Sequence, residues 1–125
     1  MKFTGVPTHG KGRGKTLGFP TINLRALSEK NIKDGVYAAR VTIRGKEYIS
    51  AMHCGAVITF GETEKTVELF LLDTPEIAVS ATEKITVETI SYLRPVIKFA
   101  SKEELIVQIT KDVEKTRRLA KKPRP

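Results

Sequence analysis

The chain contains no tryptophan, one cysteine and few aromatic rings, 6% in all. With Cys54 as its single thiol it can close no internal disulfide, which points to a reducing compartment and makes the cytoplasm the expected location. Sparse aromatics leave no row of stacking platforms for single-stranded nucleic acid. No apolar run is long enough to span a bilayer, and the opening "MKFTGVPTHGKGRG" lacks the apolar core of a secretory signal, so neither a membrane nor a leader is expected. His9, His53 and Cys54 do not have the spacing of a structural zinc site, since neighbours on a strand point to opposite faces. No internal repeat and no Ser/Gly linker divides the 125 residues. Two cores in so short a chain would each be too small, so residues 1–125 are read as one monomeric domain.

What is abundant is positive charge, +8 net, and it is unevenly placed. Residues 1–15 carry Lys2, Lys11, Arg13 and Lys15 with no acid. Residues 111–125 carry seven cations against Asp112 and Glu114, while the stretch between has eleven cations and twelve acids. A basic beginning suggests an anionic ligand, whereas a nucleic-acid coat would spread its cations over a face.

Residues 1–34 are rich in turn formers. Strand signals follow: "GVYAARVTI" (35–43) and "KEYISAMHC" (46–54) flank a hairpin-type break at Arg44-Gly45. "AVITF" (56–60), "TVELFLL" (66–72) and "KITVETISYLR" (84–94) complete the β pattern, the last alternating Ile85, Val87, Thr89 and Ser91 against Thr86, Glu88, Ile90 and Tyr92. The period then changes. Leu105, Ile109 and Val113 recur every four residues, Ser101 and Glu104 form a capping box, and Arg117 and Arg118 sit where cations favour the helix dipole. Five or six short antiparallel strands and one helix hide their edges most economically as a closed or nearly closed barrel.

Three places carry chemistry. In "HGKGRGKTLGFPTIN" (9–23), Gly10, Gly12 and Gly14 allow backbone N–H groups to turn toward an anion, with Lys11, Arg13 and Lys15 adding charge; a solvated basic loop is the alternative. A Walker A loop is excluded, because His9 stands where its first glycine belongs and Gly18 and Pro20 stand where its helix would begin. In "PTIN", Pro20 stiffens the entry, and Thr21 and Asn23 project to one side of an extended segment. Their hydroxyl and amide oxygens suit a hard cation such as Mg²⁺, although an ordinary strand end reads the same way. In "TVELFLLD", Glu68 shares its side of the strand with Phe70 and Leu72. A carboxylate at the margin of apolar surface is partly desolvated, which suits a general base; a rim residue whose head reaches water or pairs with a Lys is the alternative.

Together these pieces resemble the riboflavin kinase family, the ATP-dependent domain that also forms the C-terminal half of bifunctional bacterial FAD synthetases. The resemblance runs from about Gly5 to Leu119 and includes "GVPTHGKGRGKTLGFPTINL", "DGVYAARV", "TVELFLLD", "YLRPVIKF" and "SKEELIVQITKD". It implies a six-stranded antiparallel Greek-key β-barrel over about 3–99, a C-terminal helix over about 101–120 and a basic tail at 121–125. It further implies transfer of the γ-phosphoryl group of ATP to the 5′-hydroxyl of riboflavin, giving FMN and ADP. By resemblance, Gly10, Lys11, Gly12, Arg13, Gly14, Lys15, Gly18, Phe19 and Pro20 wrap the nucleotide phosphates. Thr21 and Asn23 hold Mg²⁺ or another divalent cation, Glu68 takes the hydroxyl proton, and Tyr92, Leu93 and Arg94 lie against the flavin.

The chain departs from the family pattern at "GAVITF" (55–60), where Ile58 replaces a proline, and at "TPEIAVSATEK" (74–84). No adenylyltransferase half accompanies these residues, so FMN and not FAD is the expected product, with a separate FMN adenylyltransferase as a possible partner. The competing functions are an inactive flavin- or nucleotide-binding module of the same fold, and a basic RNA-binding barrel.

Overall fold

The computed structural model describes residues 1–8, 19–27, 32–55 and 66–121. Six strands, β1 (Lys2–Pro7), β2 (Thr21–Ala26), β3 (Gly35–Ile43), β4 (Lys46–Gly55), β5 (Thr66–Leu71) and β6 (Ile85–Arg94), precede one helix, α1 (Lys102–Ala120). The strands close into a barrel in the order β1-β2-β5-β4-β3-β6, with every neighbouring pair antiparallel. Closure leaves no strand edge open, as the sequence pattern requires.

Period-two alternation decides what fills the barrel. Ile22 and Leu24 of β2, Tyr37, Ala39, Val41 and Ile43 of β3, Met52 and Cys54 of β4, and Val67, Leu69 and Leu71 of β5 point inward with Phe3, Ile85 and Val87. Cys54 is a fully buried core residue. The break between β3 and β4 is a tight hairpin in which Arg44 (φ 50°) and Gly45 (φ 78°) both take positive φ, matching the twist of the flanking strands.

Two expectations change. Residues 1–34, read as turn-rich, hold two strands; β1 forms despite Gly5 and Pro7 because it is paired on both sides, and Phe3 and Val6 bury. Gly5 is needed there, since a Cβ would lie 3.0 Å from the carbonyl oxygen of Arg25 across the β1–β2 ladder. The strict alternation read for β6 is interrupted, because its register against β3 shifts twice, between Val36 and Tyr37 and between Ala38 and Ala39, as β-bulges do. The strand read over 56–60 falls outside the described residues.

The helix covers part of the outer face of β4 and β5. Leu105, Ile109 and Val113 of α1 pack onto Ala51, Phe70 and Leu72 with Phe19, Ile49, Phe99 and Ile106 around them, a second apolar cluster outside the barrel. Truncating Leu105 or Ile109 to alanine there costs roughly 2–5 kcal/mol. Ser101 caps the helix, its hydroxyl accepting from the Glu104 N–H at 3.2 Å. The Glu104 carboxylate accepts from the Ala100 N–H at 3.0 Å, one residue before the position a capping box uses.

Candidate active site

β2, β5 and β4 lie side by side, and their registers set the site. Thr21 pairs with Phe70, Asn23 with Glu68, and Glu68 in turn with His53. Directly opposed residues of an antiparallel pair project to the same face, with Cβ atoms roughly 4.5–5.5 Å apart. Because Ile22 and Leu69 point into the barrel, Thr21, Asn23, Glu68 and His53 all stand on its outer surface. The residues singled out for cation binding and for proton transfer thus meet on one patch of sheet.

Glu68 is more deeply placed than its sequence neighbours suggested. It is 1% exposed, so the reading of a rim carboxylate reaching water is excluded. His53 beside it is 9% exposed, while Thr21 and Asn23 are half-buried. Thr21 and Asn23 line a cleft of about 590 Å³ with Pro7, Thr8, Arg25 and Val79. The Thr8 N–H donates to the Asn23 carbonyl oxygen at 2.8 Å, and the Leu71 N–H donates to the Pro20 carbonyl oxygen at 2.9 Å. Both flanks of the glycine-rich segment are therefore fastened at this cleft. Phe19 packs its ring against Phe70, centroids 6.2 Å apart. Gly10, Lys11, Gly12, Arg13, Gly14, Lys15 and Gly18 lie outside the described residues.

Among the described residues no group of three or more His, Cys, Asp or Glu side chains gathers in a way that could hold a metal ion. The donors at the cleft are instead the neutral oxygens of Thr21 and Asn23, two residues apart on one strand face. That set fits Mg²⁺, which takes few protein ligands and completes its shell with phosphate and water oxygens.

The row continues around the barrel. His53 pairs with Val36 of β3, and Val36 pairs with Arg94 of β6. Arg94, read from sequence as a flavin contact, is engaged within the protein. Its Nη2 donates to Asp112 Oδ2 at 2.8 Å, its Nε donates to the same carboxylate at 3.0 Å, and its Nη1 donates to the Pro95 carbonyl oxygen at 3.1 Å. Gln108 donates to Asp112 Oδ1 at 3.1 Å. Tyr92 keeps an available ring, 40% exposed, set edge-on to Tyr37 at 5.3 Å with the Lys33 ammonium 4.5 Å from its centroid. Leu93 is half-buried between them. These three residues lie at the β3–β6 side of the barrel, apart from Thr21, Asn23 and Glu68.

His53 and Asp112 are the residues that sequence reasoning passed over. His53 was weighed only as a metal ligand, and its place beside Glu68 follows from strand register, which local sequence does not display. Asp112 did carry a signal, as an acid at a position continuous with the buried helix stripe.

The chain is similar to known proteins. A family model described as Flavokinase, riboflavin kinase, matches residues 1–120. The chain is 34% identical over 115 residues to a bifunctional riboflavin kinase/FMN adenylyltransferase of Listeria monocytogenes, covering 90% of this chain and 36% of that protein. It is 34% identical over 112 residues to the RNA-binding riboflavin kinase RibR of Bacillus subtilis, covering 89% and 47%. The chain thus spans less than half the length of these curated relatives. Among solved structures, a Streptococcus pneumoniae protein described as a macrolide-efflux protein superposes with a TM-score of 0.78 at 32% identity, covering 93% of this chain and 38% of that one. Riboflavin kinase from Trypanosoma brucei superposes at 0.65 and 23% identity over 98% and 80%, a likeness of fold. Among the described residues no helix is long and apolar enough to cross a membrane. Barrel, helix and the matched residues 1–120 lead to one conclusion: the chain belongs to the riboflavin kinase family.

Proposed function

We propose that this chain is a riboflavin kinase that moves the γ-phosphoryl group of ATP onto the 5′-hydroxyl of riboflavin, releasing FMN and ADP. The observation that carries the reading is a buried carboxylate, Glu68, standing directly across the ladder from Asn23, with Thr21 on the same face. Phosphoryl transfer asks a protein mainly for positioning, for charge neutralisation and for a nucleophile relieved of its proton. Glu68 takes the proton of the 5′-hydroxyl, the freed oxygen bonds to the γ-phosphorus, and the bond from that phosphorus to ADP breaks. Thr21 and Asn23 would hold Mg²⁺, which when bound neutralises polyphosphate charge.

The cleft beside Thr21 and Asn23 supports entry of the polyphosphate between Thr8 and Phe19, the two flanks of the segment carrying Gly10 to Gly18. Tyr92 offers the flavin an exposed ring. Leu93 adds apolar surface, and Arg94 fastens α1 to β6 through Asp112 beside it. FMN is the expected product, made in the cytoplasm.

Incubation with ATP, Mg²⁺ and riboflavin, followed by chromatographic detection of FMN, tests the reading. Glu68→Gln keeps the shape and removes the base; a loss of roughly 10²–10⁴-fold in kcat with nucleotide binding retained is expected. A Gln variant turning over at the wild-type rate would overturn it.

A further inference from the structure

We propose that Arg25 is a nucleotide-binding residue, its guanidinium meeting phosphate oxygens of the polyphosphate held in the cleft of Thr21 and Asn23. The inference rests on the reading of that cleft as the nucleotide site, and adds to it a residue that recognises the phosphate charge.

Strand geometry places the residue. Ile22 and Leu24 point into the barrel, so Thr21, Asn23 and Arg25 stand in one file on the outer face of β2. Two residues along a strand span about 7 Å, which puts the Arg25 backbone one such step from Asn23. All three line the same cleft. Arg25 is exposed, whereas Thr21 and Asn23 are half-buried. Among the described residues that line the cleft, Arg25 alone is charged, and none is an acid. Directly across the ladder from Arg25 stands Val6, buried although it shares the outer face, and Val79 lines the cleft with them. These apolar neighbours offer the methylene stem of an arginine a surface to lie along while its head stays in the opening.

The chemistry of a triphosphate calls for such a group. A divalent cation at Thr21 and Asn23 offsets only part of the polyphosphate charge, and the oxygens it leaves uncoordinated need donors. A guanidinium stays charged at every working pH and presents its N–H groups as a planar fork that matches two phosphate oxygens at once. A lysine at this position supplies the charge without the fork. Arg25 also lies on a strand paired to β1, so its backbone is held relative to Asn23. A group carried on a regular element is placed more accurately than one on a loop.

The test is equilibrium binding by titration calorimetry, with Mg²⁺ and again with EDTA. The probes are ATP and inorganic tripolyphosphate, which has the phosphates but neither base nor sugar. Arg25→Gln and Arg25→Lys are compared with wild type, and urea unfolding confirms the fold. Arg25→Gln is expected to weaken both probes about tenfold, as the loss of a charge-assisted contact does, and Arg25→Lys to recover part of that loss. Added salt should weaken ATP binding less steeply in Arg25→Gln than in wild type. The proposal is overturned if Arg25→Gln binds ATP within about twofold of wild type. It is equally overturned if ATP affinity falls while tripolyphosphate affinity does not, which would move the contact to the base or sugar. Should Arg25→Gln not fold, Arg25→Met keeps the stem, removes the charge and gives the same comparison. The two readings fail differently. Wild-type ATP binding that Arg25→Gln leaves intact removes the role of Arg25 and keeps the nucleotide site. A wild-type protein that binds neither probe overturns the site itself, and the proposal with it.

Discussion

Arg94, near the end of β6, grips Asp112 of α1 through two nitrogens, Nη2 at 2.8 Å and Nε at 3.0 Å, with both side chains largely withdrawn from solvent. The pair crosses from barrel to helix at one end of the polar row that contains His53 and Glu68. Breaking such a pair from one side leaves an uncompensated buried charge, which costs about 3–5 kcal/mol. Asp112→Ala is expected to lower the free energy of unfolding by that amount, measured by urea titration. A loss under about 1 kcal/mol would show the pair to be a surface-type contact.

Removing the hard oxygen donors is expected to show in the metal requirement. Thr21→Val and Asn23→Ala each leave the outer face of β2 without one candidate ligand. Titrating Mg²⁺ at saturating ATP should show half-activation moved to at least several-fold higher metal in each variant, with kcat reduced. Unchanged Mg²⁺ curves in both variants would place the cation elsewhere.

Gly35 opens β3 at a positive φ of 154°, and a Cβ there would overlap the Tyr92 ring and lie 3.0 Å from the Arg94 carbonyl oxygen. Gly35→Ala must push the ring aside or shift the bulged end of β6. Overpacking of this kind costs about 1–3 kcal/mol. The expected result is a lower urea midpoint together with a changed tyrosine fluorescence, because Tyr92 and Tyr37 are set edge-on against each other.

Asp73 supplies the pH prediction. Hydrogen bonds from Arg117 hold its carboxyl below the ordinary value of 3.8. A folded-state pKa below the unfolded one gives stability that is present above the unfolded value and is lost as pH falls through the folded one. Arg117 is itself shifted upward, away from any accessible pH, and adds no pH dependence of its own. Asp73→Asn keeps a side chain that tolerates the residue's positive φ of 53°. The variant should be slightly less stable than wild type at neutral pH, and the gap should close below pH 3.8 and shrink with added salt. A gap that persists at low pH would point to the backbone as its cause.

Much of this molecule was readable before any coordinates. The strand read over 35–43 is β3 residue for residue, those at 46–54, 66–72 and 84–94 differ from β4, β5 and β6 by one residue, and the helix starts one residue after its cap. In these segments local chemistry and global fold agree: β-branched alternation, a Gly at a positive-φ turn, a serine cap and a four-residue apolar repeat each favour one structure. β1 escaped because Gly5 and Pro7 lower strand propensity, and its two neighbours in the barrel override them. The placement of Glu68 on a face with Phe70 and Leu72 was legible, since a strand alternates by geometry alone.

Sequence by itself determined strands β3 to β6, the helix and its apolar stripe, the alternating faces of β3, β4 and β5, and the residue types able to bind a cation or accept a proton, because all of these follow from spacing within a dozen residues. Tertiary structure alone decided that Asn23, Glu68 and His53 form one row, that Glu68 is buried, and that Arg94 serves Asp112. Those relations depend on the register between strands distant in the chain and on where α1 docks, and only closing the barrel fixes either one.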